Sequence, residues 1–597
     1  MPTLDAIRLP DAPNTAIPDT ATPNTTIPDP TGPAGASGRR PQDQARRATV
    51  PTFAHAVLAL AAGYLAVGGW LGWGWDSVPP EALRLTARAY FPLFGAGGAL
   101  GPLAVGWDVL PTAAQVPLLP LAWLWRPFAT TGISAVVVSA LFMAGAAGQL
   151  YRTAGALGAR RRVAVPMAAL FALHPAVVYA GATGSAQAAS LFFLLLATHQ
   201  LVRWYRGGSS NRLAAAGLAL AGAGLCGPSA LGAGVATAAA VAIVAYRRAG
   251  GPARARRETA RADMLVIALP LLFVTAIRIL IGAVAAGSWA RELAFEVNSG
   301  LLPAVPGELS GSGTGSVRPV VRLAVQSAVL EPFAVVTLIG AVLAGCRRDT
   351  STLAAETGRG VLGALALLGG GYALAVVVAA LTTGGAWSLG PTLLVVPLTV
   401  LAATALTTTR STASDLAGSR RRVSGWSAAR RYRRDAAIAV MLLAALPIGA
   451  AGLLARGIAP TEAQALRAVF RPGAATDSEA AFPDRYDQDR ALARWLDAQH
   501  LPAHSVLVDT ATGFAVVLSS HHPRQFVAPA EARFDVLAAD PARYRVRFVL
   551  ARPRVAALPA DRVNRAFPDL VGDPRLSLVR VAANPGDLPA WRVYGVR

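Results

Sequence analysis

The stretch Leu213-Ala-Ala-Ala-Gly-Leu-Ala-Leu-Ala-Gly-Ala-Gly-Leu225-Cys226-Gly227-Pro228-Ser229-Ala230, apolar onward to Tyr246, decides how this chain is arranged. Read as one long helix, it puts Arg247, Arg248, Arg254, Arg256, Arg257 and Arg261 on the opposite side of a membrane from Arg203, Arg206 and Arg212. Read as two helices around Gly227-Pro228, it keeps all nine on one side. Proline has no N–H to give a helix interior and Gly-Pro pairs punctuate structure, so a tight hairpin is the expectation.

Ten further apolar runs lie outside this pair or include its second half: 53–73, 132–150, 163–180, 185–202, 230–246, 264–285, 323–344, 361–381, 387–406 and 436–454. Most are near the roughly 20 residues that cross a hydrocarbon layer as a helix. Arginine fills alternate connections: four in 152–162, three in 203–212, six in 247–261, three in 347–359 and eight in 410–434. The intervening connections hold only Arg84, Arg88, Arg126, Arg291 and Arg318. Under the positive-inside rule the first set is cytoplasmic and the second faces out. The sequence therefore predicts a polytopic α-helical membrane protein of about 11 transmembrane helices, with its N-terminus inside.

All 55 basic residues are arginine, against 33 acidic ones, for a net charge of +22. In a soluble chain that excess would suggest nucleic acid. Here it follows the topology and lies beside anionic headgroups, so membrane lipids are expected partners and nucleic acid is not. The absence of lysine, with abundant Ala, Gly and Arg, points to a GC-rich bacterial genome. Cys226 and Cys346 fall at opposite membrane faces, too far apart to bridge. His500, His504, His521 and His522 lack acid or cysteine at ligand spacing, so no metal site is expected, although the need for a divalent metal stays open. No Walker or dinucleotide glycine motif is present.

Three other segments organise the chain. Residues 1–50, with Pro-Asn-Thr-x-Ile-Pro-Asp at 13–19 and again at 23–29, read as a disordered cytoplasmic tail. The multi-span domain is expected over 51–457. Its outer loop 76–128 carries apolar stretches at 83–94 and 116–125 too short to span, with Trp107, Trp123 and Trp125, as expected of helices lying in the outer interface. A second outer loop covers 286–321. Beyond the last span, 458–597 read as an extracytoplasmic α/β domain, with helices at 487–500, 532–537 and 561–567 and strands at 505–508, 547–551, 576–581 and 591–596.

Two stretches carry a family likeness. One is Glu81-Ala82-Leu83-Arg84 through Ala89-Tyr90, with Gly106-Trp107-Asp108-Val109-Leu110-Pro111-Thr112 and Pro117-Leu118-Leu119. The other is Ser505-Val506-Leu507-Val508-Asp509-Thr510, Gly513-Phe514, Pro523-Arg524-Gln525-Phe526-Val527 and Trp591-Arg592-Val593-Tyr594. With the order of spans, loops and tail, they resemble the GT-C superfamily of polyprenyl-phosphate-dependent glycosyltransferases. The likeness is to the family-39 branch of protein mannosyltransferases and aminoarabinose transferases, over nearly all of 51–597. It implies a transfer that inverts the anomeric centre, from a polyprenyl-phosphate sugar donor to an envelope glycan, lipid or protein acceptor on the outer face.

In that superfamily a carboxylate of the first outer loop takes the acceptor proton. Asp76, Glu81 and Asp108 are the candidates; Glu81 stands where relatives carry aspartate, and each would otherwise be a solvated acid or a helix cap. Arg84 and Arg88 share a helix face with Glu81 and, with Arg278 and Arg291, are candidates for the donor phosphate. Snorkelling to headgroups is the other reading for Arg84 and Arg88, and a glutamate counter-ion the other for Arg278. The turn Gly184-Ser185-Ala186-Gln187 stands where relatives carry a Ser-Glu pair. His174-Pro175 predicts a kinked, locally bonded helix. The rival functions are a catalytically inactive scaffold of an envelope-building assembly and a transporter, which should show internal repeats and broken mid-membrane helices.

Overall fold

In the computed structural model the described residues are 41–95, 108–286, 318–337, 339, 363, 365–378, 389–417, 425–529, 531, 533–553, 562–583 and 590–597. Residues 1–40 of the expected N-terminal tail, Arg291, Cys346 and most of the second outer loop lie outside them; residues 41–50, expected in that disordered tail, instead belong to the helix Pro41–Gly69. The first span, α1 (Phe53–Gly74), is followed by α2 (Pro80–Phe94) and three short helical pieces, Val109–Ala113, Leu121–Leu124 and Pro127–Thr130. The bundle continues through α3 (Ile133–Ala156), α4 (Arg161–Ala172), α5 (Pro175–Ala182), α6 (Gln187–Gly207), α7 (Ser210–Gly224), α8 (Ser229–Arg248) and α9 (Ala253–Ala286). It is completed by α10 (Arg318–Leu330), α11 (Leu365–Val378), α12 (Val395–Ala417) and α13 (Gly425–Leu453).

Among the described residues six helices are long and apolar enough to cross a membrane, and α4 with α5 makes a seventh if that bent pair is one span. The remaining expected spans appear as α6, α7, α10 and α11. α6 is 21 residues long and carries Gln187, Thr198, His199 and Gln200. α7 is shorter, and only parts of the 323–344 and 361–381 runs are described. The chain is a polytopic helical membrane protein. A turn at Leu225–Pro228 separates α7 from α8, as the Gly-Pro pair requires.

Small residues let these helices meet at backbone distance. A Cβ on Gly217 of α7 would lie 2.7 Å from the Ile267 carbonyl of α9, and one on Gly232 of α8 would lie 2.3 Å from the Gly371 carbonyl of α11. Such contacts replace the hydrophobic drive that a lipid surround cannot supply. The break between α4 and α5 turns the chain by 62°. His174 holds it: Nδ1 accepts the Ala176 N–H, and Nε2 lies 3.1 Å from the Leu330 carbonyl at the end of α10. The kink is thus bonded across the bundle as well as locally.

After α13 the polypeptide forms α14 (Pro460–Phe470), α15 (Asp477–Ala480) and α16 (Asp487–Ala498). An α/β unit follows: β1 (Val506–Val508), α17 (Thr510–Ser519), β2 (Phe526–Val527), α18 (Phe534–Ala539), β3 (Phe548–Ala551), α19 (Arg562–Ala566), β4 (Leu576–Ala582) and β5 (Trp591–Val596). Sheet order is β2-β1-β3-β5-β4, parallel from β2 to β3 and antiparallel beyond. Helices α14, α15 and α17 and strand β2 were not expected from the sequence.

One buried acid pins the start of this domain. Glu479 accepts two hydrogen bonds from Arg456 at 2.6 Å each, one from Arg467 Nε at 3.3 Å and the Thr476 N–H at 2.8 Å. Burial alone would raise its pKa, but the Arg456 and Thr476 hydrogen bonds outweigh burial and hold it at about 2. A carboxyl depressed in the folded state adds stability above its unfolded value near 4.5, lost as pH falls toward 2. Melting followed by tryptophan fluorescence should therefore lose midpoint steeply from pH 5 to pH 3 in the parent and less steeply in Glu479→Gln. Equal slopes would remove Glu479 from the acid response.

Candidate functional site

Helix α2 begins at Pro80, whose fixed φ suits the first helical position, and carries Glu81 in its first turn. The apolar face of α2 is not left on the membrane surface. Ala82, Leu83, Ala87, Ala89 and Tyr90 are buried with Tyr486 of the C-terminal domain and with Phe514, Ala515 and Leu518 of α17. Each such large side chain contributes about 1.5–3 kcal/mol on burial. The expected interfacial helix is thus roofed by protein, because α17, unread in the sequence, supplies the matching apolar surface. The surrounding tryptophans do face outward: Trp73, Trp75, Trp123 and Trp125 are exposed, as a membrane-boundary belt would be.

Polar bonds fix α2 from below. Thr86 Oγ1 and Ser134 Oγ both donate to Gln115 Oε1, at 3.0 and 2.9 Å. Gly184 lets the next turn approach: its φ is +75°, and a Cβ there would lie 2.7 Å from that of Ala82. That approach brings Glu81 Oε1 within 2.9 Å of the Ala186 N–H and 3.4 Å of Ser185 Oγ, at the N-terminal end of α6. Glu81 therefore receives the first donors of a membrane helix.

Arg84 and Arg88 follow on the same side of α2. Arg84 NH2 and Arg88 NH1 lie 3.7 and 3.6 Å from Asp108 Oδ2. The fold thus gathers Glu81, Arg84, Arg88 and Asp108. Burial raises the Glu81 carboxyl above its ordinary value, and Asp108 raises it further; Arg84, the Ala186 N–H and Ser185 act in the opposite direction.

Asp76, at a φ of +46°, accepts a 2.7 Å bond from Arg490 of α16, joining the end of α1 to the C-terminal domain. Its pKa is raised by burial, opposed by Arg490. Arg278 is buried in α9 at 4% exposure. Arg291 lies outside the described residues.

Two further groups were unforeseen in the sequence: Tyr179 of α5, which feels both Glu462 and Glu81 electrostatically, and Glu462 itself. Glu462 is 4% exposed and accepts the Leu389 N–H at 2.8 Å. Standing two residues after Pro460, Glu462 has the pattern of any first-turn acid, and Tyr179 that of any aromatic in a span. Among the described residues no three His, Cys, Asp or Glu side chains are placed to hold a metal ion.

Neither a family model nor a curated protein matches the sequence. Among solved structures the chain is similar to ArnT from Cupriavidus metallidurans bound to undecaprenyl phosphate. The identity is 15%, over 92% of this chain and 98% of that one, with a TM-score of 0.46. It is also similar to the archaeal oligosaccharyltransferase AglB from Archaeoglobus fulgidus, in complex with an inhibitory peptide and a dolichol-phosphate. There the identity is 10%, over 83% and 69% of the two chains, with a TM-score of 0.40.

Proposed function

We propose that this protein is a GT-C-type integral-membrane glycosyltransferase. It moves a sugar from a polyprenyl-phosphate donor to a cell-envelope acceptor on the outer face, with inversion. The observation that carries the reading is a partly buried carboxylate, Glu81, that feels both Asp108 and Arg84, while Asp108 faces Arg84 and Arg88 of the same helix, beside a belt of exposed tryptophans. In this reading Glu81 removes the proton of the acceptor hydroxyl as that oxygen attacks the anomeric carbon. Arg84 and Arg88 hold the departing lipid phosphate. A raised carboxyl is better matched to that proton than an ordinary surface glutamate. The arginine-rich connections and the N-terminus face the cytoplasm, and α14 onward stands outside.

The test is transfer from a panel of radiolabelled polyprenyl-phosphate sugars by the purified chain in lipid nanodiscs. Product from at least one donor, lost in Glu81→Gln, is the expected result. A second reading, an inactive scaffold, draws on the same geometry: Glu81 caps α6 and both arginines already face an acid. Failure of every donor with the folded parent favours it.

A further inference from the structure

We propose that Asp108 is a built-in substitute for the donor's phosphate, occupying on Arg84 and Arg88 the place that an incoming lipid phosphate takes over. The inference rests on the reading of these two arginines given above and deepens it.

The pairing is loose. One oxygen, Asp108 Oδ2, faces two guanidinium groups at 3.7 and 3.6 Å, beyond the roughly 2.7–3.2 Å of a good hydrogen bond. Arg84 Nε is buried with no hydrogen-bond partner, so this guanidinium has a donor that Asp108 does not use. A phosphate presents more oxygens in a geometry that a guanidinium fork can grip bidentately. The three side chains are 14, 17 and 21% exposed, so the pair reaches solvent.

The backbone under Asp108 is anchored independently of its carboxylate. Its carbonyl accepts from Thr112 N and Thr112 Oγ1 at 3.1 and 2.6 Å, and Leu110 N donates to the Leu225 carbonyl at 3.1 Å. The acid can therefore swing aside by side-chain rotation while the helical turn stays in place. A sugar-bearing lipid phosphate is a diester with one negative charge. The lipid phosphate left after transfer is a monoester with nearly two, and would cling more tightly to the arginines. Return of Asp108 to the pair opposes that retention and helps product leave.

The experiment titrates the full chain, in nanodiscs of neutral lipid, with farnesyl phosphate and with farnesol. Asp108→Asn and Asp108→Ser should both bind farnesyl phosphate about tenfold more tightly than the parent, a change between the bulk-water and near-surface scales of one charge contact. Farnesol binding should not change, and Arg84→Gln or Arg88→Gln should weaken the phosphate ligand alone. Equal or weaker phosphate binding in both Asp108 variants overturns the proposal, as does a gain shared by farnesol or loss of fold in both. Tighter binding in a protein that transfers no sugar leaves the proposal standing and sinks the transferase reading. Transfer by the parent with no gain in the variants does the reverse.

Discussion

Glu81→Gln lowers the transfer rate by about 10²- to 10⁴-fold, the range expected for a general base, while the melting midpoint stays near that of the parent. The substitution isolates the chemistry because glutamine keeps a carbonyl oxygen where Glu81 Oε1 accepts the Ala186 N–H and Ser185 Oγ. It removes the negative charge and proton affinity but not the cap. Glu81→Ala removes both, so it loses rate and stability together, the second by about 0.5–2 kcal/mol as for other caps. The pH profile adds a second reading of the same group. A base must be ionised in the free enzyme, so kcat/KM rises with pH through the Glu81 pKa. Burial and Asp108 raise that value, placing the acidic limb above the ordinary glutamate value near 4.5. Asp108→Asn removes one of the two raising causes and shifts the limb toward lower pH. A parent profile flat down to pH 4, or a Gln variant of full activity, would assign Glu81 to the α6 cap alone.

Asp489→Ala destabilises the C-terminal domain by about 3–5 kcal/mol, the cost of breaking a buried pair by removing one partner. Asp489 is fully buried. Its Oδ1 accepts the Trp591 Nε1–H at 2.6 Å and Arg552 NH2 at 3.0 Å, and the Arg552 guanidinium stacks 4.3 Å from the Trp591 ring centre. Removing the acid strands an indole N–H and a guanidinium within the core formed by α16, β1, β3 and β5. Asp489→Asn, which keeps one acceptor and the shape, should cost distinctly less. Hydrogen exchange over β5 and α17 checks the claim, since both should open together in the alanine variant. Unchanged protection there would mean the three groups are independent of the core.

The spans were legible because their signal is redundant: apolar length, arginine alternation and the Gly227-Pro228 break agree. In the C-terminal domain, helix α16 and strands β1, β3, β4 and β5 were legible from their apolar patterns, whereas α14 was not. Helix α17 was not, because Thr510-Ala-Thr-Gly-Phe-Ala-Val-Val-Leu-Ser519 mixes β-branched residues with Gly513 and has no polar face. Burial on nearly every side selects its helical form, and Gly513 is needed because a Cβ would lie 2.4 Å from Val508 Cγ2. Strand β2, two residues long, is below the reach of any alternation pattern. At the site, the grouping of Glu81, Arg84 and Arg88 follows from helical spacing. The pairing of Asp108 with both arginines does not, since it depends on where the turn before Val109 is held against α7. Asp76 stood beside Glu81 as a candidate base in sequence, and its contact with Arg490, more than four hundred residues away, could not be read there.

The roof over α2 has a consequence for how the protein is made. Residues 80–94 leave the ribosome early, yet the surface that covers them is α17, and the sheet under α17 closes only when Trp591–Val596 has been added. A nascent chain therefore carries its membrane segments through α13 with the apolar face of α2 uncovered until α17 and the strands beneath it have been made. Covering of α2 is thereby deferred until Trp591–Val596 has followed, and a chain broken off before Trp591 would be inserted with that face bare.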